Sequence, residues 1–183
     1  MNKLLSLANL KETGTTDEFG VGKVTACWSS TYGSLKAIYV HSCDAVGVLM
    51  SPMFPDLQDG WPTGFYADDD ENKASLVIGQ EFCIGPYLQS AATTAASYGW
   101  VLVAGLNPLA MTTDGTAAAG YGIRPSATDG SWSGVAATTT ETGSAVAYNT
   151  HLCGIYTTAD TCAVLAAGYA QINTILGALP VTL

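Results

Sequence analysis

Two short stretches repeat one pairing of reactive side chains. "HSC" is His41-Ser42-Cys43 and "HLC" is His151-Leu152-Cys153. On a strand, residues two apart project from one face, so each pair presents an imidazole and a thiol together. Were the two strands neighbours, His41, Cys43, His151 and Cys153 would supply the two nitrogens and two sulfurs of a tetrahedral zinc site. Structural zinc ligands, however, usually sit on Cys-x2-Cys knuckles, and both pairs here lie in strand-like runs. The same residues pointing into a β core give an identical pattern. The expectation is therefore no metal and no cofactor.

Other chemistry is sparse. "GSWSG" (130–134) has the outline of a nucleophile elbow, but Trp132 stands where the serine belongs and no helical pattern follows. His41 and His151 are the two histidines available as general bases, and neither sits in a nucleophile motif. Phosphate loops, dinucleotide fingerprints and His-Glu-x-x-His helices do not occur. Asp68, Asp69, Asp70 and Glu71 run consecutively, whereas calcium loops alternate their ligands, so a solvated acidic loop is expected. No catalytic residue is assigned, and the chain reads as a non-enzyme.

Composition narrows the partners. Charged residues make up 11 % of the chain against 48 % hydrophobic, and the net charge is −9. Six basic residues, scattered along the sequence, cannot form the cluster that nucleic acid or an anionic membrane surface requires. A surface short of ions must be covered by Ser, Thr, Asn, Gly and Ala. It loses little hydration on contact, which suits lasting association with neighbours. The five cysteines, an odd number, read as reduced thiols packed like small hydrophobes.

The elements that would position these groups follow a period of two, cut by Gly-containing turns. Val24–Trp28 and Leu35–Val40 flank "SSTYGS" as a hairpin, and Val46–Met50 reads as a buried strand. Ala74–Gly85 reads as two strand halves about Gly79, and Tyr98–Gly105 sets Tyr98, Trp100, Leu102 and Ala104 on one face. Asp114-Gly115 and Asp129-Gly130 are hairpin-type turns, and "SAVAYN", "HLCGIY" and "YAQINTIL" follow. The fold expected is all-β, a β-sandwich or small β-barrel. Residues 1–16 are expected to form an N-terminal arm, its first ten residues an arm or one short helix. Residues 17–183 form a single β-domain with a long aromatic and acidic excursion at 51–73. That excursion is expected to lie outside the core sheets and touch a neighbour.

The order "DEFGVGKVTACWSSTYGSLKAIYVHSCDA", "ASLVIGQEFCIG", "ASYGWVLVAGLNPLAM", "TDGTAAAGYGIRPSATDGSWSG" and "HLCGIYTTADTCAVLAAGYAQINTIL" resembles the small Ala/Gly/Thr-rich decoration, or cement, proteins of tailed-bacteriophage capsids. The resemblance spans about residues 17 to 176 and rests on turn glycines and compositional rhythm. It implies a virion structural protein on the capsid exterior, assembled in the host cytoplasm. It implies binding to the major capsid protein lattice, and self-association, with a trimer favoured. The chain departs from that pattern in its 51–73 insertion and its cysteines. Candidate interface residues are Phe54, Trp61, Phe65, Tyr66, Tyr121 and Trp132. Competing readings are another virion part (head-fibre base, tail tube or spike), a small β-fold hydrolase using His41 or His151, and a carbohydrate-binding module. The last would use Trp61, Trp100 and Trp132 as stacking platforms.

Overall fold

The computed structural model describes residues 5–46, 50–56, 60–61, 63–69, 83–89, 91, 93–105, 122–126, 130–135 and 154–155. The expected strands at 74–82, the Asp114-Gly115 turn and the segments "SAVAYN" and "YAQINTIL" lie outside these residues.

The N-terminal stretch is local chemistry stabilised by packing. Helix α1 (Leu7–Leu10) is capped reciprocally: Ser6 Oγ accepts from the Asn9 N–H, and Asn9 Oδ1 accepts from the Ser6 N–H. Four residues cannot hold a helix alone in water. Burial of Leu5 and Leu10 in the core holds this one. Gly14 then exchanges two backbone hydrogen bonds with Tyr98, at 3.0 and 2.7 Å. Over residues 5–14, the expected arm is thus packed into the domain.

The hairpin forms as its alternation suggests. Strands β1 (Val24–Ser29) and β2 (Gly33–Ser42) pair antiparallel, from Val24 opposite Ile38 to Ser29 opposite Gly33. Ser29 Oγ accepts from the N–H groups of Thr31 and Tyr32, and Gly33 takes the positive φ of 70° that closes the turn. The remaining strands are β3 (Pro52–Pro55), β4 (Tyr66–Asp68), β5 (Gly85–Pro86), β6 (Ser97–Ala104), β7 (Gly122–Pro125), β8 (Trp132–Val135) and β9 (Gly154–Ile155).

Strand β2 organises the larger, six-stranded sheet. One edge pairs with β1 and then, at His41 and Ser42, runs parallel to β4. The other edge pairs antiparallel with β6, with a register shift between Lys36 and Ala37. Strand β3 joins β4 to β5 by antiparallel pairing. Strands β8, β7 and β9 form a second, three-stranded sheet. Gly130 takes a positive φ in the β7–β8 turn, and the Ser126 N–H donates to the Ser131 carbonyl at 2.9 Å. The molecule is all-β apart from α1 among the described residues, and the large sheet is open and mixed, with no barrel closure there.

Around Ala37–Val40 of β2 and Trp100–Val103 of β6, both faces of the large sheet are covered. On one face, Leu35, Ala37 and Tyr39 of β2 pack with Trp100 and Leu102 of β6, Phe54 of β3, and Leu5 and Leu10. Ile123 and Trp132 from the second sheet join that cluster. On the other face, Ile38 and Val40 pack with Val101, Val103, Met53, Ala67, Ile84 and Tyr87. The expected face of Tyr98, Trp100, Leu102 and Ala104 is real, but Val101 and Val103 on the reverse are buried too. Continuous apolar runs in β2 and β6 follow from that double cover.

Three expectations are corrected. The excursion 51–73 is not outside the sheet, because it contributes β3 and β4, with Phe54 opposite Asp68 and Ala67 fully buried. Phe54 and Trp132, expected as interface contacts, are each 1 % exposed and belong to the core. Val46 and Met50 are buried as expected, but Met50 sits in a turn with φ of 59°, so that end of the segment is not strand.

Candidate functional site

The residues singled out for chemistry gather at the end of β2, where β4 runs beside it. His41 is next to last in β2 and Cys43 lies just past its end, and each finds different company. The His41 ring stacks on Tyr98 at 4.3 Å between centroids and 15° between planes. Tyr66, its parallel neighbour on β4, tilts against it at 4.8 Å. Partial burial between these rings holds the imidazole below its ordinary pKa, and Asp17 opposes that effect. No hydrogen bond joins the His41 ring to a serine or a carboxylate among the described residues, so no nucleophile–base pair is assembled there.

Cys43 instead meets acids. Its thiol donates to Asp56 Oδ2 at 3.4 Å, and its backbone N–H donates to the Ala67 carbonyl at 2.9 Å. Cys43 Sγ and one carboxylate oxygen each of Asp56 and Asp68 lie within 4.8 Å of one another. Asp56 is fully buried and Asp68 nearly so. Asp56 also starts the turn that leads back to β4: its carbonyl accepts from Gly60 and Trp61, and its N–H donates to Tyr66. A thiol and two carboxylates could hold a divalent cation, yet the thiol proton already engages Asp56. The group ties β2, β3 and β4 together as a buried polar cluster. Half of the four-residue set expected from the two His-x-Cys pairs can be placed. Cys43 converges with Asp56 and Asp68, not with His41, and His151 and Cys153 lie outside the described residues.

The aromatic candidates divide likewise. Trp61 and Phe65 meet edge to face at 5.1 Å and pack, partly buried, against the Ile38 side of the sheet. Tyr66 is half-buried against His41. Tyr121 lies outside the described residues. As sugar-stacking platforms Trp100 and Trp132 fail, being 0 % and 1 % exposed.

Among the described residues, the aromatic side chain left in solvent lies on β1. Trp28 on β1 is 74 % exposed, and Val24 on the same strand is 42 % exposed. Cys27 between them is buried in the core. Val24, Ala26 and Trp28 therefore share the outer face of the strand, next to Lys36 and Ser34 of β2. Strict alternation about Cys27 was the available signal: a thiol that faces the core places Trp28 in solvent. Exposed tryptophan is an unusual surface residue and a common anchor of interfaces.

No protein-family model matches the chain, and no curated protein or solved structure is significantly similar to it.

Proposed function

We propose that this chain is a non-enzymatic structural protein that attaches to a virion shell and stabilises it, as a capsid decoration protein on the lattice of the major capsid protein. The observation that carries the reading is the solvent-facing row Val24–Ala26–Trp28 on a domain whose sequence is 11 % charged. Such a surface offers an aromatic anchor and a neutral surround that loses little hydration on contact. A shell-stabilising protein needs contact area and shape complementarity, and it needs no reacting groups. Candidate contacts accordingly move from Phe54 and Trp132, which are core, to Trp28 and its neighbours, while Trp61, Phe65 and Tyr66 remain partly accessible elsewhere on the sheet.

Virions purified through a density gradient provide the test, and the protein should remain with them in many copies. At 1 M salt the screening length falls to about 3 Å, which removes long-range attraction between exposed charges. Apolar contact persists under that condition and weakens in urea. Attachment should therefore survive high salt and be lost in mild denaturant. Absence from the particles, or release by salt alone, would defeat the proposal.

A further inference from the structure

We infer that β1 is a self-complementary edge through which two copies of this chain pair antiparallel about a two-fold axis at Ala26. Among the described residues β1 pairs with β2 alone and so ends the large sheet. The Tyr39 N–H donates to the Lys23 carbonyl at 2.9 Å. In an antiparallel ladder the inward backbone groups alternate, so Thr25, Cys27 and Ser29 also bond β2. The N–H and C=O groups of Val24, Ala26 and Trp28 then point away from the sheet. An edge strand in a monomeric protein is normally blunted by a charged side chain, a proline or a bulge. "VTACWS" has no charge and no proline, and its register with β2 runs without a break.

Symmetry and charge select the occupant. Antiparallel pairing centred on Ala26 sets Ala26 opposite its own copy and Val24 opposite Trp28 of the second chain, twice. The small central side chain leaves the backbones free to approach. The exposed apolar side chains meet each other, as cross-strand pairs on one face do. Each chain has a net charge of −9, so copies repel over most approaches. The bases Lys23 and Lys36 flank this strip, and the six residues of β1 are uncharged, so the strip itself adds no acid–acid repulsion. One strand and one tryptophan per copy form a small interface, below the roughly 800 Å² per partner of a stable complex. The dimer is therefore a weak, concentration-dependent one. This contact does not rest on the virion reading, and it is two-fold where the family resemblance implies a trimer.

Sedimentation velocity of the full chain over a range of concentrations tests it. The wild type should shift toward dimer as concentration rises. Ala26→Pro should stay monomeric with an unchanged melting temperature, since proline is tolerated where an edge N–H faces solvent. Trp28→Lys, which keeps the backbone intact, should raise the dimer dissociation constant at least roughly thirtyfold, as loss of an aromatic anchor does. Under mild oxidation Ala26→Cys should give a covalent dimer whose peptide map contains a 26–26 disulfide. A wild type that stays monomeric throughout, or a dimer indifferent to Trp28→Lys, overturns the inference.

Discussion

The indole N–H of Trp132 donates to the main-chain oxygen of Met50 at 2.7 Å, across 82 positions of sequence. Both residues are buried, and Met50 holds a left-handed backbone conformation with φ of 59°. Trp132 belongs to the three-stranded sheet, and Met50 stands two residues before β3 of the large one. A single side chain thus fills the core between the sheets and satisfies a carbonyl that the turn at Met50 leaves outside any ladder.

Trp132→Phe should keep most of the packing and strand the Met50 carbonyl, costing about 1–3 kcal/mol of stability. Trp132→Ala adds a cavity and should cost about 3–5 kcal/mol. Urea denaturation followed by circular dichroism would measure both. Equal midpoints for the wild type and Trp132→Ala would show that this contact contributes nothing to the fold.

Gly99 lies under the Tyr87 ring. A Cβ added there would stand 2.6 Å from Tyr87 Cζ, and the Tyr87 hydroxyl pairs with Ser97 Oγ at 3.1 Å. The ring is fully buried and has no room to retreat. Gly99→Ala should therefore lower stability by about 1–3 kcal/mol, the usual cost of overpacking. A thermal melt of the variant would decide, and an unshifted transition would contradict the close approach. Burial also pushes the Tyr87 phenol up to about 12 from 10.0. The native state therefore binds more protons than the unfolded chain between those values, and Tyr87 makes stability fall as pH rises through that window. In Tyr87→Phe this part of the alkaline loss should vanish.

His41 works in the opposite range. Its pKa is lowered by partial burial between Tyr98 and Tyr66, so below about 6.5 the unfolded chain takes up a proton more readily than the native one. Stability contributed by neutral His41 is present above 6.5 and declines as pH falls through it. Melting temperatures of the wild type and His41→Phe, compared from pH 8 downward (roughly the range over which histidine changes charge), should show the wild type losing stability relative to the variant as pH falls through about 6.5. Parallel pH profiles would mean that the ring titrates as if it were in water.

Trp28→Ser tests the surface. With 74 % of the side chain in solvent, the substitution should change folding stability by no more than about 0.5 kcal/mol. Under the proposed function, loss of an aromatic anchor should weaken attachment to virions by about 2 kcal/mol or more. Occupancy of particles by the variant, measured at matched concentration, would read this directly. Full occupancy would move the contact elsewhere on the domain.

Sequence alone determined the elements whose pairing is local. The β1–β2 hairpin follows from alternation on either side of a Ser29–Gly33 turn whose hydroxyl and glycine supply their own geometry. Strand β6 follows from eight residues of apolar β-former pattern, and the β7–β8 turn from Gly130. The tertiary structure decided the rest, because pairing and burial depend on distant residues. "PMFP" carries two prolines and "YAD" only three residues, too little to read as strands, and they become strands because β4 lies beside the end of β2 and β3 beside β4. Trp28 and Trp132 each lie in a short strand-like run. One is in solvent and the other in the core, because the second sheet brings Trp132 against the large one while nothing described covers the outer face of β1. The polar cluster of Cys43, Asp56 and Asp68 was equally hidden: its members come from three separate segments, and the pairing of β4 with both β2 and β3 brings their side chains together.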